Sequence, residues 1–196
     1  MAEPEYRHFK CPQCGARNRI PRTKSKNEAH CGRCGTSLSQ ATEAQRQTRS
    51  LLIRCENCRT RNRIPGDKVG QPATCGQCGA TMSTEVLTVK EPVLVNDQNF
   101  NSQVLQSPLP VLLFCYATWC PSCQTQAPVM DDLARTWRGR VRIAKLNSDQ
   151  SPQTAAALQV MSVPQTFVYD NGKQLQRLVG AQNHASLNTL MTRFLG

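Results

Sequence analysis

Eight of the chain's eleven cysteines belong to one pattern used twice. Cys11, Cys14, Cys31 and Cys34 recur as Cys55, Cys58, Cys75 and Cys78, each 44 residues further on. The block Arg17-Asn18-Arg19-Ile20-Pro21 recurs as Arg61-Asn62-Arg63-Ile64-Pro65. Residues 11–39 aligned with 55–83 share 14 identities in 29 positions, and only four of these are cysteines, so a whole module is duplicated. Each copy reads C-x2-C-x16-C-x2-C, a zinc-ribbon spacing. Two residues between cysteines let one tight turn aim both sulfurs at one tetrahedral ion. The longer gap lets the chain reverse and bring a second turn opposite. Gly15, Gly35 and Gly79 follow the second cysteine of their pairs, where a positive φ lets the turn close. Arg59, after Cys58, departs from that rule.

No aromatic residue lies between Cys11 and Lys90, so packing alone cannot hold this segment together. Metal binding is expected to supply the missing folding free energy, on the order of 10 kcal/mol for a structural zinc site. Disulfides or free thiols are the alternative reading. A site built from the inner pairs, Cys31, Cys34, Cys55 and Cys58, is also conceivable, but the 44-residue period favours one ion per copy and two per chain. His30 adjoins Cys31, yet Thr74 takes its place in the second copy, so His30 reads as a surface residue, as does His8.

An odd number of cysteines excludes a fully paired disulfide scaffold without a partner. The charge of +11 is concentrated in residues 1–90, which carry 16 Lys/Arg against 7 Asp/Glu. Four thiolates around one Zn2+ carry −2, so two occupied sites offset part of that excess. A nucleic-acid footprint is one reading of the rest. A solvated, charge-compensating surface is preferred, because the segment has no aromatic platform for bases and no recognition-helix pattern. The N-terminus is polar and has no apolar signal region. The longest apolar run, Val111–Ala117, is too short to span a bilayer. A cytoplasmic, reducing location is the expectation, with no membrane partner. There, closely spaced cysteines serve as metal ligands or catalytic thiols.

From Val93 onward the pattern alternates strand and helix. Pro92–Val95 reads as a short strand, and Asp97 as the cap of a helix over 98–105. Val111–Tyr116 is continuously apolar, as in a buried central strand. Ala127, Met130, Leu133, Ala134 and Trp137 recur at helical spacing. Val141–Leu146 reads as a strand and Pro152–Leu158 as a helix. Gln165–Tyr169 and Lys173–Val179 flank Asn171-Gly172, the signature of a hairpin with a type I′ turn. His184–Phe194 closes with an amphipathic helix. Such alternation predicts an α/β layered sheet.

Cys120-Pro121-Ser122-Cys123 stands where the central strand meets its helix. A cysteine at a helix N-terminus is stabilised as thiolate by unpaired N–H groups and the dipole. Pro121 suits the first helical turn, where its missing N–H costs nothing. Cys123, one turn on, is close enough to attack a mixed disulfide at Cys120. The metal reading would need two further ligands, and only Cys115 remains, in the apolar strand, where it reads as a small core residue.

Ala117-Thr118-Trp119-Cys120-Pro121-Ser122-Cys123, Ala127-Pro128, Ser162-Val163-Pro164-Gln165-Thr166, Asn171-Gly172-Lys173 and Val179-Gly180-Ala181 together resemble the thioredoxin family over about residues 90–196. The N-terminal C-x2-C…Arg-Asn-Arg-Ile-Pro…C-x2-C module resembles the bacterial zinc-containing thioredoxin 2 subclass, from which this chain departs by carrying two copies. The resemblance implies a thioredoxin fold, a central mixed sheet flanked by helices, preceded by two zinc ribbons. The expected division is ribbon 1 over 1–40, a linker over 41–50, ribbon 2 over 51–84 and the thioredoxin-like domain over 90–196.

The resemblance also implies a monomeric protein-disulfide reductase without organic cofactor, acting on protein disulfides and recharged by a thioredoxin reductase. Cys120 is then the nucleophile and Cys123 the resolving thiol. Trp119 flanks the site, Pro164 is a cis-proline, and the Val163 backbone pairs with an extended substrate. Gly180 leaves room in the substrate groove, and Lys145 matches the family's buried lysine. Two departures stand out. The dipeptide between the cysteines is Pro121-Ser122 instead of Gly-Pro, which bears on redox poise. The family's buried aspartate, six residues before the nucleophile, is Phe114, which predicts slower resolution. A disulfide oxidase or isomerase is the neighbouring alternative. A zinc-ribbon module that binds nucleic acid or protein, with a passenger thioredoxin domain, is the more distant one; the ribbons themselves read as structural or as redox-sensing, their thiolates losing zinc when oxidised.

Overall fold

The computed structural model describes residues 6–11, 14, 16–21, 29–35, 38 and 50–195; Gly15, the N-terminal residues 1–5 and most of the expected linker lie outside the described residues. The chain divides into two compact units, Met1–Ser50 with Pro65–Asp67, and Leu51–Ile64 with Lys68–Gly196. In the first, β1 (Tyr6–Lys10) pairs antiparallel with β2 (Arg17–Pro21). Among the described residues its core is Cys11, Ile20, Ala29, Cys31 and Leu38, so two of its cysteines are themselves core residues.

The second unit opens with the other ribbon. There β3 (Leu51–Arg54) pairs antiparallel with β4 (Arg61–Ile64), and β5 (Ala73–Thr74) with β6 (Thr81–Met82). Ile53, Ile64, Met82 and Leu87 pack around Cys55 and Cys75, and Leu109 of the following body joins the same cluster. Buried Thr84 ties the ribbon's long loop, accepting from the Gly70 N–H and donating to the Gln71 carbonyl.

A five-stranded mixed sheet follows, ordered β11-β10-β8-β9-β7. Strands β7 (Val93–Val95) and β8 (Val111–Tyr116) run parallel to β9 (Arg142–Asn147). Strand β10 (Gln165–Asp170) runs antiparallel to β8 and to β11 (Lys173–Val179). The helices are α1 (Pro121–Thr136), α2 (Pro152–Ala157) and α3 (His184–Leu195). Period-two alternation in β8 feeds two cores. Leu112 and Phe114 join Leu133, Leu187 and Met191 of α1 and α3, whereas Val111, Leu113 and Cys115 join Val104, Phe167 and Tyr169. Both faces of β8 are therefore covered, which is why its sequence is apolar without a break.

The hairpin turn has Asn171 at φ 54° and Gly172 at φ 76°, the two positive dihedrals a type I′ turn requires. One capping expectation is corrected. Asn96, not Asp97, caps the segment after β7, accepting from the N–H groups of Gln98 and Asn99. That segment ends in a π-helical turn, Asn101–Leu105. Asp97 turns to the other helix, accepting from the Thr154 and Gln153 N–H groups and the Thr154 hydroxyl at the start of α2. Ser151, the N-cap of α2, makes no side-chain cap bond, so a carboxylate 57 residues before Thr154 serves instead.

Candidate functional site

Strand β8 delivers the chain to the C-terminal end of the sheet, and α1 starts there. Cys120 is its N-cap, with Pro121 at the first helical position. The Cys123 N–H points at Cys120 Sγ, 3.1 Å away, as the helix N-terminus requires of a cap that accepts. Cys120 and Cys123 are joined as a disulfide, with Cα atoms 5.2 Å apart, and both are nearly covered. The Ser122 hydroxyl lies 3.3 Å from Cys120 Sγ.

Segments distant in sequence converge here. The Val163–Pro164 peptide is cis, and the Val163 carbonyl lies 3.7 Å from Cys120 Sγ. The Gly180 N–H donates to the Pro164 carbonyl at 2.9 Å. Gly180 has φ 85°, and an added Cβ would meet nothing within 4 Å, so the left-handed backbone rather than crowding calls for glycine. Trp119 is 69% exposed beside the disulfide, its indole N–H held by Asp149 at 2.9 Å. Lys145 lies opposite Phe114 across β8 and β9, and its ammonium pairs with Asp131 of α1.

Phe114 is fully buried in the cluster that holds Cys120 and Cys123, and stacks on Tyr116 with ring centroids 5.7 Å apart. A polar pair stands beside it that sequence reasoning missed. Thr166 lies opposite Phe114 on β10 and is fully buried. Its hydroxyl meets the amide of Gln126, also buried, and the Gln126 carbonyl accepts the Gln182 N–H. Gln126 thus ties α1, the strand after the cis-proline and the loop after Gly180. The available signal was a glutamine three residues after Cys123 on an otherwise apolar helix face. Cys115 is core, as expected, and burial pushes its thiol up to about 12.

The eight remaining cysteines form two groups of four, 11/14/31/34 and 55/58/75/78, each with all sulfurs within 4.8 Å of one another. Pairing therefore follows the repeat, not the inner pairs. The contacts Cys11–Cys34, Cys14–Cys31, Cys55–Cys78 and Cys58–Cys75 measure 3.5, 3.6, 3.7 and 3.6 Å. A tetrahedral ion with sulfur bonds of about 2.3 Å needs sulfurs roughly 3.8 Å apart, so both groups fit a metal. His8 and His30 are exposed and belong to neither.

The repeated Arg-Asn-Arg block acquires a role in this geometry. Asn18 donates to Cys31 Sγ and to the Ala16 carbonyl, and accepts from the Gly32 N–H. Asn62 repeats all three bonds with Cys75, Thr60 and Gly76. Each asparagine locks two knuckles together and orients one sulfur, as a partner behind a metal ligand does. Backbone N–H groups of Arg33 and Cys34 hold the Cys31 thiol down to about 6, and those of Cys78 and Gln77 do the same for Cys75. Burial and the neighbouring sulfurs push Cys14 and Cys78 the other way, up to about 12 and about 11, as four thiols crowded into one small volume require.

A disulfide at the N-terminus of the helix that follows a buried central strand, facing a cis-proline, defines a thiol–disulfide oxidoreductase built on a thioredoxin fold. Comparisons agree. The family profile described as Thioredoxin matches residues 91–193, more than half of the chain, and the chain belongs to the thioredoxin family. The profile described as Thioredoxin 2, N-terminal, a zinc ribbon, matches residues 10–36. Thioredoxin of Synechocystis sp. is 35% identical over 101 residues, covering 52% of this chain and 94% of the relative. Thioredoxin 1 of Nostoc sp. is 33% identical over 101 residues, with the same coverage. Thioredoxin M5, chloroplastic, of Oryza sativa is 34% identical over 107 residues, 55% of this chain and 62% of that protein. No helix among the described residues is long and apolar enough to cross a membrane.

Proposed function

We propose that the chain reduces protein disulfides in a reducing, cytoplasmic compartment. The observation that carries this is Cys120 Sγ at a helix N-terminus, bonded to Cys123 and 3.7 Å from the carbonyl that precedes the cis-proline. The Cys120 thiolate attacks one sulfur of the substrate, forming a mixed disulfide and expelling the other as a thiolate. Cys123, deprotonated, attacks Cys120 and releases the second substrate thiolate, leaving Cys120–Cys123 oxidised. A thioredoxin reductase then returns two electrons. The substrate lies extended over Trp119, Val163, Pro164 and Gly180. Lys145, engaged by Asp131, supports the site electrostatically from β9. Each four-cysteine group holds one zinc ion, which supplies the folding free energy its ribbon lacks.

One observation favours a more oxidising variant of the same chemistry. The Ser122 hydroxyl at 3.3 Å can donate to a Cys120 thiolate, which stabilises the reduced form and raises the potential. The test is disulfide reduction coupled to thioredoxin reductase, for wild type and Cys123→Ser, alongside a zinc count and a redox titration. Reductase-dependent turnover, two zinc ions and a potential near about −270 mV support the reductase. A potential near about −180 mV with weak turnover moves the assignment to oxidase or isomerase.

A further inference from the structure

Arg59 is the exception among the knuckle residues, and its surroundings explain the exception. Gly35 and Gly79 close their turns at φ 72° and 73°; Arg59 closes its turn at φ 62°, a conformation unfavourable for a residue with a Cβ. Its N–H bonds the Cys55 carbonyl just as the Gly35 and Gly79 N–H groups bond Cys31 and Cys75. The backbone thus asks for glycine, and the side chain gives the reason for arginine. Nε donates to Asn171 Oδ1 at 2.9 Å, and the two terminal nitrogens donate to the carbonyls of Gln106 and Ser107 at 2.8 and 3.1 Å.

Arg54, which immediately precedes the ligand Cys55, makes the parallel connection. Its guanidinium grips Asp170 in a bidentate pair at 3.2 and 2.9 Å, both side chains only 15% exposed. Its N–H donates to the Pro108 carbonyl, and Leu109 inserts beside Cys55 and Cys75. The two residues flanking the Cys55–Cys58 knuckle therefore hold the β10–β11 turn and the approach to β8. Tyr169 lies opposite Val111, whereas Gln165 lies opposite Cys115, so this grip is at the end of the sheet away from the disulfide.

We propose that the second four-cysteine site, which lies outside the stretch matched by the ribbon profile, is a metal centre built into the thioredoxin body, with Arg59 as the link between metal occupancy and the stability of that body. The proposal rests on the reading that Cys55, Cys58, Cys75 and Cys78 hold an ion. The ion fixes the knuckle, the knuckle fixes Arg54 and Arg59, and these order residues 106–109 and 170–171. A ligand that stabilises one part of a cooperative unit stabilises the whole, and ordering the body in turn slows loss of the ion.

Both tryptophans, Trp119 and Trp137, lie in the body, so tryptophan fluorescence follows its unfolding and not the ribbon's. Thermal unfolding is monitored this way in the full-length chain with and without a zinc chelator, and zinc release is timed with a chromophoric chelator. Four proteins are compared: wild type, Cys14→Ser, Cys58→Ser and Arg59→Gly. Chelation should lower the wild-type midpoint by about 5 °C or more. The drop should persist in Cys14→Ser, which keeps only the second ion, and vanish in Cys58→Ser. Arg59→Gly relieves the φ and should still bind two ions, yet lose more than half of the drop and release the second ion several-fold faster. Two bound ions with a chelator-insensitive tryptophan transition overturn the coupling alone, as does an Arg59→Gly chain that behaves as wild type. A second site that holds no ion overturns the coupling together with the reading on which it rests.

Discussion

The chain uses C-x2-C five times, and two outcomes result. At Cys31, Cys55, Cys75 and Cys120 the carbonyl accepts the N–H four residues on, from Gly35, Arg59, Gly79 and Gln124. A backbone N–H also meets the first sulfur in the described cases Arg33–Cys31, Gln77–Cys75 and Cys123–Cys120. The divergence lies in the residue after the second cysteine. At Gly35, Arg59 and Gly79 it takes a positive φ and the chain turns back, and in both ribbons each sulfur pair faces another pair. After Cys123 the chain continues into α1, Pro121 sets the first turn, and the two sulfurs bond each other, with no second cysteine pair facing them among the described residues. Spacing alone therefore does not separate metal chemistry from redox chemistry; one dihedral and the presence of a facing pair do.

The largest expected effect that separates the two kinds of pair is metal removal. If the ribbons hold zinc as proposed, a chelator, or Cys55→Ser in the second ribbon, should cost the ribbon up to about 10 kcal/mol of folding free energy and abolish its protease resistance. A ribbon equally resistant with and without metal would break the comparison. Cys120→Ser should reduce turnover at least about 1,000-fold while leaving the metal content intact. Loss of zinc in that variant would place the fifth pair with the other four.

Phe114→Asp sharpens the redox half. Returning an acid to the strand beside the disulfide should speed resolution of the mixed disulfide in stopped-flow by about 100-fold at most, with a lower midpoint because the position is fully buried. An unchanged rate would mean that the missing acid does not limit this enzyme. Gln126→Leu should cost about 1–3 kcal/mol in denaturant titration, since the buried Thr166 hydroxyl and the half-buried Gln182 N–H lose their partner. The smallest effect is at Asp97, whose bond to the Thr154 hydroxyl, with those to the N–H groups of Thr154 and Gln153, holds its carboxyl below the usual carboxylate range. A depressed folded pKa stabilises above the unfolded value and is lost as pH falls through the folded one. Wild type should therefore exceed Asp97→Asn in midpoint near pH 7 and approach it as pH falls below about 4. A gap that widens with acid would contradict this.

What was legible in the sequence was what local chemistry alone decides. The 44-residue repeat announces two ribbons, the unbroken apolar run announces β8, and Asn171-Gly172 announces its own turn type. Cys120 at the start of α1 follows from Pro121 and the strand before it. What stayed hidden depends on partners far along the chain. Asp97 caps a helix that begins 55 residues later, and Asn96 takes the nearer task. Gln126 looks like a solvated helix residue until β10 and the loop after Gly180 close on it. Arg59 was visible as an anomaly in the glycine pattern, but its reason lies at Gln106, Ser107 and Asn171. Ribbon 2 thus shares a core residue, Leu109, with a body from which sequence composition separates it.

The central claim, that four C-x2-C pairs bind metal and the fifth performs redox chemistry, is tested most directly by counting zinc per chain in three proteins. The account predicts two ions in wild type, two in the double variant Cys120→Ser/Cys123→Ser, and one in Cys58→Ser. A double variant that loses an ion, or a Cys58→Ser chain that keeps both, would contradict it.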